Sequence, residues 1–524
     1  MTPATGRANK WVIAVTVLTG TFMAVLDSSI VNVALPDMRG TLGATVDEIT
    51  WVVTAFILAN VIIMPVVALL SARFGRKNFY LVSVAAFTGA SMLCGTAKSL
   101  DVMIVYRIIQ GLAGGTLITA SQAILLETFP REQQGLAMGL YGMGVVLAPA
   151  FGPTLGGWLT DHYSWPWIFY INVPVGAISL LMFNRYIEDP PYLVRDKGRI
   201  DWLGLALMTV GLGALQLMLE KGGEKNWFES SFIVTLAAVA GAGLLLFTWR
   251  ELVAERPAVN LRLLKNIPFT SATLIGGVLG MGLYGTLFVL PLFLQGPLGY
   301  TAFKSGLALI PRSLAMTVVM PLGGWFYNRL GPRFLVGLGL AVSAYSFWEL
   351  SHLTTTIGFW DIFVPQLWQG VGFSLIFVAL STAALSSISK PDMTAASGLY
   401  NVVRRVFGSV GVAAAATELT TGTSRYHDVL AQNITIFDFH TREFLRRAGA
   451  AMARSGSDAI TSAKQALALL NAKVNLQATT LAYNHVFQLV MILFAASVPL
   501  VFFLSRRGNA DGAEIAADVE IVAD

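Results

Sequence analysis

Long apolar runs alternate with short polar connections along this chain, and the apolar runs are the elements it predicts. Runs of about 18 residues or more can cross roughly 30 Å of hydrocarbon as helix. They fall near 11–35, 49–71, 79–97, 102–124, 136–158, 165–185, 202–219, 231–249, 268–294, 305–326, 334–351, 361–386, 396–420 and 485–504. About fourteen transmembrane helices follow, an even number that brings both termini to one side. The first run follows the short basic segment MTPATGRANK and is too long for a signal-peptide core, so it reads as a retained helix.

The polar connections predict the orientation. With the N-terminus inside, one set of connections holds Arg73, Arg76, Lys77, Arg131, Arg185, Arg195, Lys197, Arg199, Arg250, Arg256, Arg262, Lys265, Arg329, Arg333, Lys390, Arg506 and Arg507, together with Arg7 and Lys10. The short opposite loops hold Arg39, Lys98, Lys221, Lys225 and Lys304. Basic residues stay on the cytoplasmic side, so both termini are expected there. The connection 421–484 breaks the pattern, being long, polar and outside, with seven basic residues. Long loops translocate largely regardless of charge. Within it Ile460, Ala463, Leu467, Leu470 and Val474 repeat with helical spacing. A small helical cap outside the membrane is expected, either a partner surface or a lid.

Composition agrees with a polytopic all-α membrane protein: 55% of residues are hydrophobic and 12% charged, against about 25% charged in soluble domains. No GxxxxGK[ST] loop occurs, which argues against ATP-driven pumping. The five His are scattered and Cys94 is alone, so no metal, cofactor or enzymatic constellation is expected, and no nucleic-acid partner.

A repeat runs through the chain. Leu35-Pro36 matches Leu290-Pro291, and PVVALLSARFGRK from Pro65 matches PLGGWFYNRLGPR from Pro321. Gln110-Gly111 matches Gln369-Gly370, and Gly139-Leu140-Tyr141 matches Gly398-Leu399-Tyr400. Two related six-helix halves are therefore expected, 1–190 and 266–524, with two additional helices in 191–265 and the long loop 421–484 inside the second half. A binding site at the interface of such halves is one known transporter plan.

Few polar residues interrupt the runs. Asp27 lies in AVLDSSIVNVALP, where a carboxylate costs several kcal/mol unless paired, hydrated or protonated. It reads as a proton carrier whose charge is governed by burial and by a moving neighbour; the alternative is a fixed structural partner for an Arg or a helix end. Arg107, in YRIIQGLAGG, lies at a similar depth and could pair with it, either to gate the proton or as a permanent ion pair. Gln110 is one turn further on. Asn401 and Arg404 share a helix face and are expected in a central cavity with Asn32, while Arg405 packs elsewhere. Arg312 is expected to snorkel, and Glu127 and Glu418 to be interfacial. The stretch from Gly139 to Trp158 holds Gly144, Pro149, Gly152, Pro153, Gly156 and Gly157, and is expected to be a bent, closely packed membrane helix. SARFGRK places Arg73, Arg76 and Lys77 around Gly75 in a tight turn, as topology signal and as a charge latch between helix ends.

Taken together, LDSSIVNVALP, SARFGRK, RIIQG, GMGVVLAPAFGPTLGG and WPWIFYINVPVG resemble the major facilitator superfamily, in its fourteen-helix drug:proton antiporter branch of the EmrB/QacA type. The resemblance covers nearly the whole chain. It implies an alternating-access exporter in a bacterial inner membrane, with incoming protons driving out hydrophobic, often cationic or weakly acidic, toxic compounds. It assigns Asp27 and Arg107 to proton coupling and the fifth-helix motif to antiport through the half interface. Some EmrB-like members work with a periplasmic adaptor and an outer-membrane channel. Two positions depart from the pattern: Pro166 stands where an Arg is usual, and Ala72 where the superfamily usually has an Asp nearby. Two other readings stand beside multidrug efflux: a dedicated exporter of one metabolite, and a non-transporting sensor or scaffold.

Overall fold

A computed structural model describes residues 9–190, 195, 198, 200–254 and 257–505 of the chain. Arg7, Lys197, Arg199, Arg256, Arg506 and Arg507, used above for orientation, lie outside the described residues. The first half comprises α1 (Lys10–Leu42), α2 (Val46–Phe74), α3 (Arg76–Gly95), α4 (Leu100–Thr128), α5 (Gln134–His162) and α6 (Trp167–Tyr186). Next come α7 (Trp202–Lys221) and α8 (Ser231–Val253), which pack on each other. The second half holds α9 (Ile267–Gln295), α10 (302–330), α11 (332–350), α12 (Phe359–Ser386), α13 (Met393–Gln432) and α15 (Ala459–Ala496). The helix α14 (Phe439–Arg454) lies between the last two. Twelve described stretches are long and apolar enough to cross a membrane, and one of these contains both α10 and α11. With α13, whose apolar run is diluted by Arg404 and Arg405, fourteen helices cross.

Local chemistry sets the ends of these elements. Asn9 caps α1 by accepting from the Trp11 N–H, and Gly43 ends it with a left-handed φ of 64°. Thr45 and Glu48 form a reciprocal capping box at the start of α2. Gly75 separates α2 from α3 with φ 85°, and Gly331 separates α10 from α11 with φ 78°. They occupy the same place in the two repeats, at a backbone conformation that glycine adopts without a Cβ penalty.

The halves meet through equivalent close approaches. A Cβ on Gly139 of α5 would stand 2.5 Å from the Met320 carbonyl oxygen of α10. Its repeat mate Gly398 on α13 lies in the same way against the Met64 carbonyl of α2. Bare glycine lets the backbones touch. Nearby, Asn328 donates to the Glu132 carbonyl, and Lys10 donates to Gln133 Oε1 at 2.5 Å. Arg333 donates to the Leu504 carbonyl at 2.9 and 2.7 Å. Both described ends of the chain therefore lie on the face where the halves are closed together.

The cap is built differently from expectation. It is mainly an outward continuation of two membrane helices, since α13 runs to Gln432 and α15 begins at Ala459, with α14 packed on α15. The buried stripe of α15 there is Ser462, Ala466 and Val474, whereas Ile460 and Leu467 are 70% and 59% exposed. The small residues took the inward face because they allow close helix contact, which leaves the larger ones outside.

Candidate functional site

Several helices of the first half bring the site together. Gly152 and Gly156 of α5 lie against Ser29 and Ile30 of α1, so the two helices nearly touch where Asp27 sits. Gly111 of α4 lies against the Phe56 carbonyl of α2, and one turn earlier Arg107 Nε donates to the Val52 carbonyl at 2.9 Å. That bond holds the guanidinium toward α1. Arg107 Nη1 then donates to Asp27 Oδ2 at 2.5 Å and to Gln110 Oε1 at 2.7 Å. Gln110 Nε2 donates to Asp27 Oδ1 at 2.8 Å, and Asn172 Nδ2 donates to the same oxygen at 2.9 Å. Asp27, Arg107 and Gln110 are wholly buried.

The arrangement neutralises the carboxylate in stages. Arg107 supplies a full positive charge, and two neutral amides satisfy the remaining oxygen. Taking two ions out of water costs several kcal/mol each, which only good geometry and further hydrogen bonds repay. Phe56 and Phe169 flank the guanidinium, 4.2 and 5.8 Å from its carbon to the ring centres. Arg107 Nη2 has no hydrogen-bond partner although it is buried. The pair is thus closed to solvent but not saturated, and one proton on Asp27 would leave Arg107 with spare donors.

Sequence reasoning missed Asn172. It lies in the quoted segment INVPVG, at the second residue of a fully apolar stretch, and that isolation was the available signal. Ser91, to which Asn172 also donates at 3.0 Å, and Cys94, whose thiol points to Gln110 at 3.7 Å, complete the surroundings. Pro166 stands immediately before the first turn of α6, where a missing N–H costs nothing.

Other expected residues fall elsewhere. Asn32 is exposed and reaches only the Ser28 carbonyl of its own helix, at 3.4 Å. Asn401 and Arg404 are joined at 2.9 Å, and Asn401 also donates to Gln122 Oε1 across the halves at 2.6 Å. Arg405 donates to the Tyr284 hydroxyl at 2.9 Å. Arg312 does not snorkel: it is buried and donates to Gln369 Oε1 at 3.2 Å. Glu127 is not merely interfacial, because it holds Arg76 at 2.5 and 3.1 Å in a largely buried pair, and Arg76 also reaches Thr394 of the other half. Glu418 pairs with Arg425 and His485 at the base of the cap.

The turn after α2 finds its acid in another place. Asp189, beyond α6, accepts from the Lys77 N–H at 2.7 Å, and a Cβ at Gly75 would lie 2.8 Å from that carboxylate. Lys77 Nζ reaches the Asn184 carbonyl and Arg73 the Gly198 carbonyl. The glycine–proline stretch of α5 divides its contacts between the two halves. Gly144, Gly152, Gly156 and Gly157 face α1 within the first half, and the contacts to the second half come from Gly135, Gly139 and Gly142. Pro149 and Pro153 sit inside an unbroken helix.

This geometry, with two repeated halves and a buried charge cluster in one of them, has known counterparts. A family model described as Major Facilitator Superfamily matches residues 17–412, and the chain belongs to that superfamily. It is similar to the fatty acid resistance protein FarB of Neisseria gonorrhoeae, 35% identical over 97% of this chain and 99% of that one. It is similar also to the multidrug export protein EmrB of Escherichia coli K12, 34% identical over 94% of each chain. The structure of the human organic anion transporter MFSD10 matches with a TM-score of 0.61, covering 93% of this chain and all of that one; at 12% identity it speaks for the fold alone. Within the superfamily these relatives identify the EmrB/QacA-type branch with fourteen membrane helices. The protein is a multi-pass membrane transporter of this family and not an enzyme.

Proposed function

We propose that this protein is a proton-coupled antiporter that exports hydrophobic and amphipathic toxic compounds from a bacterial cell by alternating access. The observation that carries the reading is the Asp27 carboxylate, wholly buried in a membrane helix and held by Arg107, Gln110 and Asn172. Protonation removes the charge that holds Arg107 at 2.5 Å. A guanidinium stays charged in proteins, so Arg107 must find other acceptors, and α1 and α4 lose their ionic tie while the neutral Gln110 bond remains. Return of the proton to water restores the tie. Asp27 and Arg107 are thus the coupling pair, and Gln110 and Asn172 position the carboxyl.

The basic connections make the closed face cytoplasmic, with both termini there and the protein in the inner membrane. The inter-half contacts of Gly139, Gly398 and Arg76 then form the inner gate, which must open to load substrate. Export is supported by the names of the similar proteins, multidrug export and fatty acid resistance. The cap carries Phe437 and Phe439, 87% and 67% exposed, which suits a periplasmic adaptor leading to an outer-membrane channel.

Purified protein in proteoliposomes tests the reading. A pH gradient should drive uptake of amphipathic dyes and antimicrobials into inverted vesicles, with protons moving in the opposite direction. Substrate movement that ignores the gradient, or no movement across a chemically varied panel, would remove the proposal.

A further inference from the structure

The additional helix α7 is tied to both halves by side chains, and one of them is a carboxylate. Gln216 Nε2 donates to Ser409 Oγ of α13 at 2.7 Å and to Glu220 Oε1 of its own helix at 3.2 Å. Thr54 Oγ1 of α2 donates to Glu220 Oε2 at 3.5 Å. Lys221 Nζ reaches Thr50 Oγ1 of α2 at 2.9 Å, and Trp227 Nε1 donates to Thr417 Oγ1 of α13 at 2.6 Å. The turn that delivers Trp227 keeps Asn226 and Trp227 in left-handed backbone, with φ 55° and 49°, a strained conformation for residues other than glycine. α7 is thus joined to the first half through α2 and to the second through α13, at the end of the molecule opposite the closed face.

Glu220 is half-buried there, and two cations attract it: Arg405 of α13, one turn before Ser409, and Lys221, next in sequence. Each has another partner as well, Arg405 the Tyr284 hydroxyl at 2.9 Å and Lys221 the Glu224 carboxylate at 2.7 Å. From α2 it faces the neutral Thr54, and α8, which packs along α7, has no ionisable residue from Ser231 to Trp249. The Gln216 amide has an unused atom: Gln216 is wholly buried and its Oε1 has no partner. An ionised Glu220 only accepts hydrogen bonds, so Gln216 Nε2 must face it. A protonated Glu220 is a donor, and turning the amide over would let Oε1 accept from both Glu220 and Ser409. The pair therefore has two self-consistent arrangements that differ by one proton, and only the charged one draws α7 toward Arg405.

We propose that Glu220, with Gln216, is a positioning residue for the closing of the outer side: ionised, it holds α7 between α2 and α13 and keeps the outer ends of the halves apart, and a proton arriving from outside releases that hold. The hold is present while Glu220 is charged and is lost as outer pH falls. Outer protons would thereby favour closure on the side from which they load Asp27. The inference rests on the exporter reading and on the orientation given with it, and adds a second group through which outer pH acts.

A distance measurement tests it without transport. Spin labels on Val46→Cys and Val429→Cys, both exposed in the outer parts of α2 and α13, read the gap in nanodiscs without substrate; the native Cys94 is buried. The background is Asp27→Asn, so that the coupling pair contributes no titration. The ratio of short to long distances should rise at least about tenfold between about pH 8 and about pH 5, equivalent to about 1.4 kcal/mol. Glu220→Gln should populate the short distance at every pH, and Glu220→Asp should bring the response back; its failure to do so would reduce Glu220 to packing. Distances that ignore pH with Glu220 present, or a response that survives Glu220→Gln, would overturn the proposal. In vesicles with Asp27 intact, Glu220→Gln should flatten the dependence of transport on outer pH, and an unaltered profile would also count against it. A pH response of the distances in a protein that moves no substrate would sink the exporter reading and leave this result standing.

Discussion

Arg107 and Gln366 occupy matching places in the two halves, three residues before Gln110 and Gln369 respectively. In the first half the position is a cation tied to a carboxylate. In the second it is a buried amide whose side-chain atoms find no partner. The place of Asp27, eight residues before the Leu-Pro pair, is Gly282 in the second half, and Phe494 packs where a side chain would stand. The backbone contacts of the two sites are nevertheless alike: Gly111 touches the Phe56 carbonyl, and Gly370 would place a Cβ 2.5 Å from the Arg312 carbonyl. The same helix packing is therefore reached with and without the ion pair. Packing does not require Asp27, which leaves function as the reason for burying it.

The most severe way to break this contrast is Asp27→Asn. It keeps the shape and most hydrogen bonds, and gradient-driven transport in proteoliposomes should fall to background while the protein remains folded. Arg107→Ala comes next. Leaving one member of a buried pair alone costs about 3–5 kcal/mol, so detergent-solubilised protein should unfold at clearly lower temperature; adding Asp27→Asn should recover much of that stability and none of the transport. In the second half, Arg312→Gln severs a guanidinium's bond to a neutral amide, worth about 1.5–3 kcal/mol, with transport retained. Asn172→Ala removes one hydrogen bond to a carboxylate, worth about 1.5–3 kcal/mol; the pH profile of transport should move, and an unmoved profile would reduce Asn172 to packing. The gentlest comparison is Gly75→Ala against Gly331→Ala. Each imposes a strained backbone of about 1–3 kcal/mol, and Gly75→Ala should be the worse because its Cβ meets Asp189, while nothing stands within 4 Å of Gly331.

Much of this was legible in the chain. Apolar run lengths gave the helices, because a bilayer imposes one minimum length on every span. The repeat was visible because backbone contacts through Gly111 and Gly139, and the left-handed turn at Gly75, demand glycine in both copies. Asp27 and Arg107 stood out because charge in hydrocarbon is expensive wherever it occurs. What failed were inferences about which face a residue presents. Asn32 is on the helix of Asp27 but five residues on, about 140° around it at 3.6 residues per turn, and it points away from the cluster. Arg312 looked like an interfacial residue because it follows Pro311, yet its buried partner Gln369 lies on another helix, beyond the reach of local pattern. The cap stripe was misassigned because close packing of helices selects Ser462 and Ala466 over larger apolar neighbours. The replacement of the missing acid near Ala72 by Asp189 required knowing that α6 ends beside α3.

The central claim is that the Asp27 carboxyl gains and loses a proton as substrate comes and goes. Infrared difference spectra of the protein in lipid, recorded on adding substrate at constant pH, report protonated carboxyl groups directly. The account predicts a substrate-dependent carboxylic acid band that is present in the wild type and absent in Asp27→Asn. A wild-type spectrum without such a band, or a band that persists unchanged in Asp27→Asn, would contradict it.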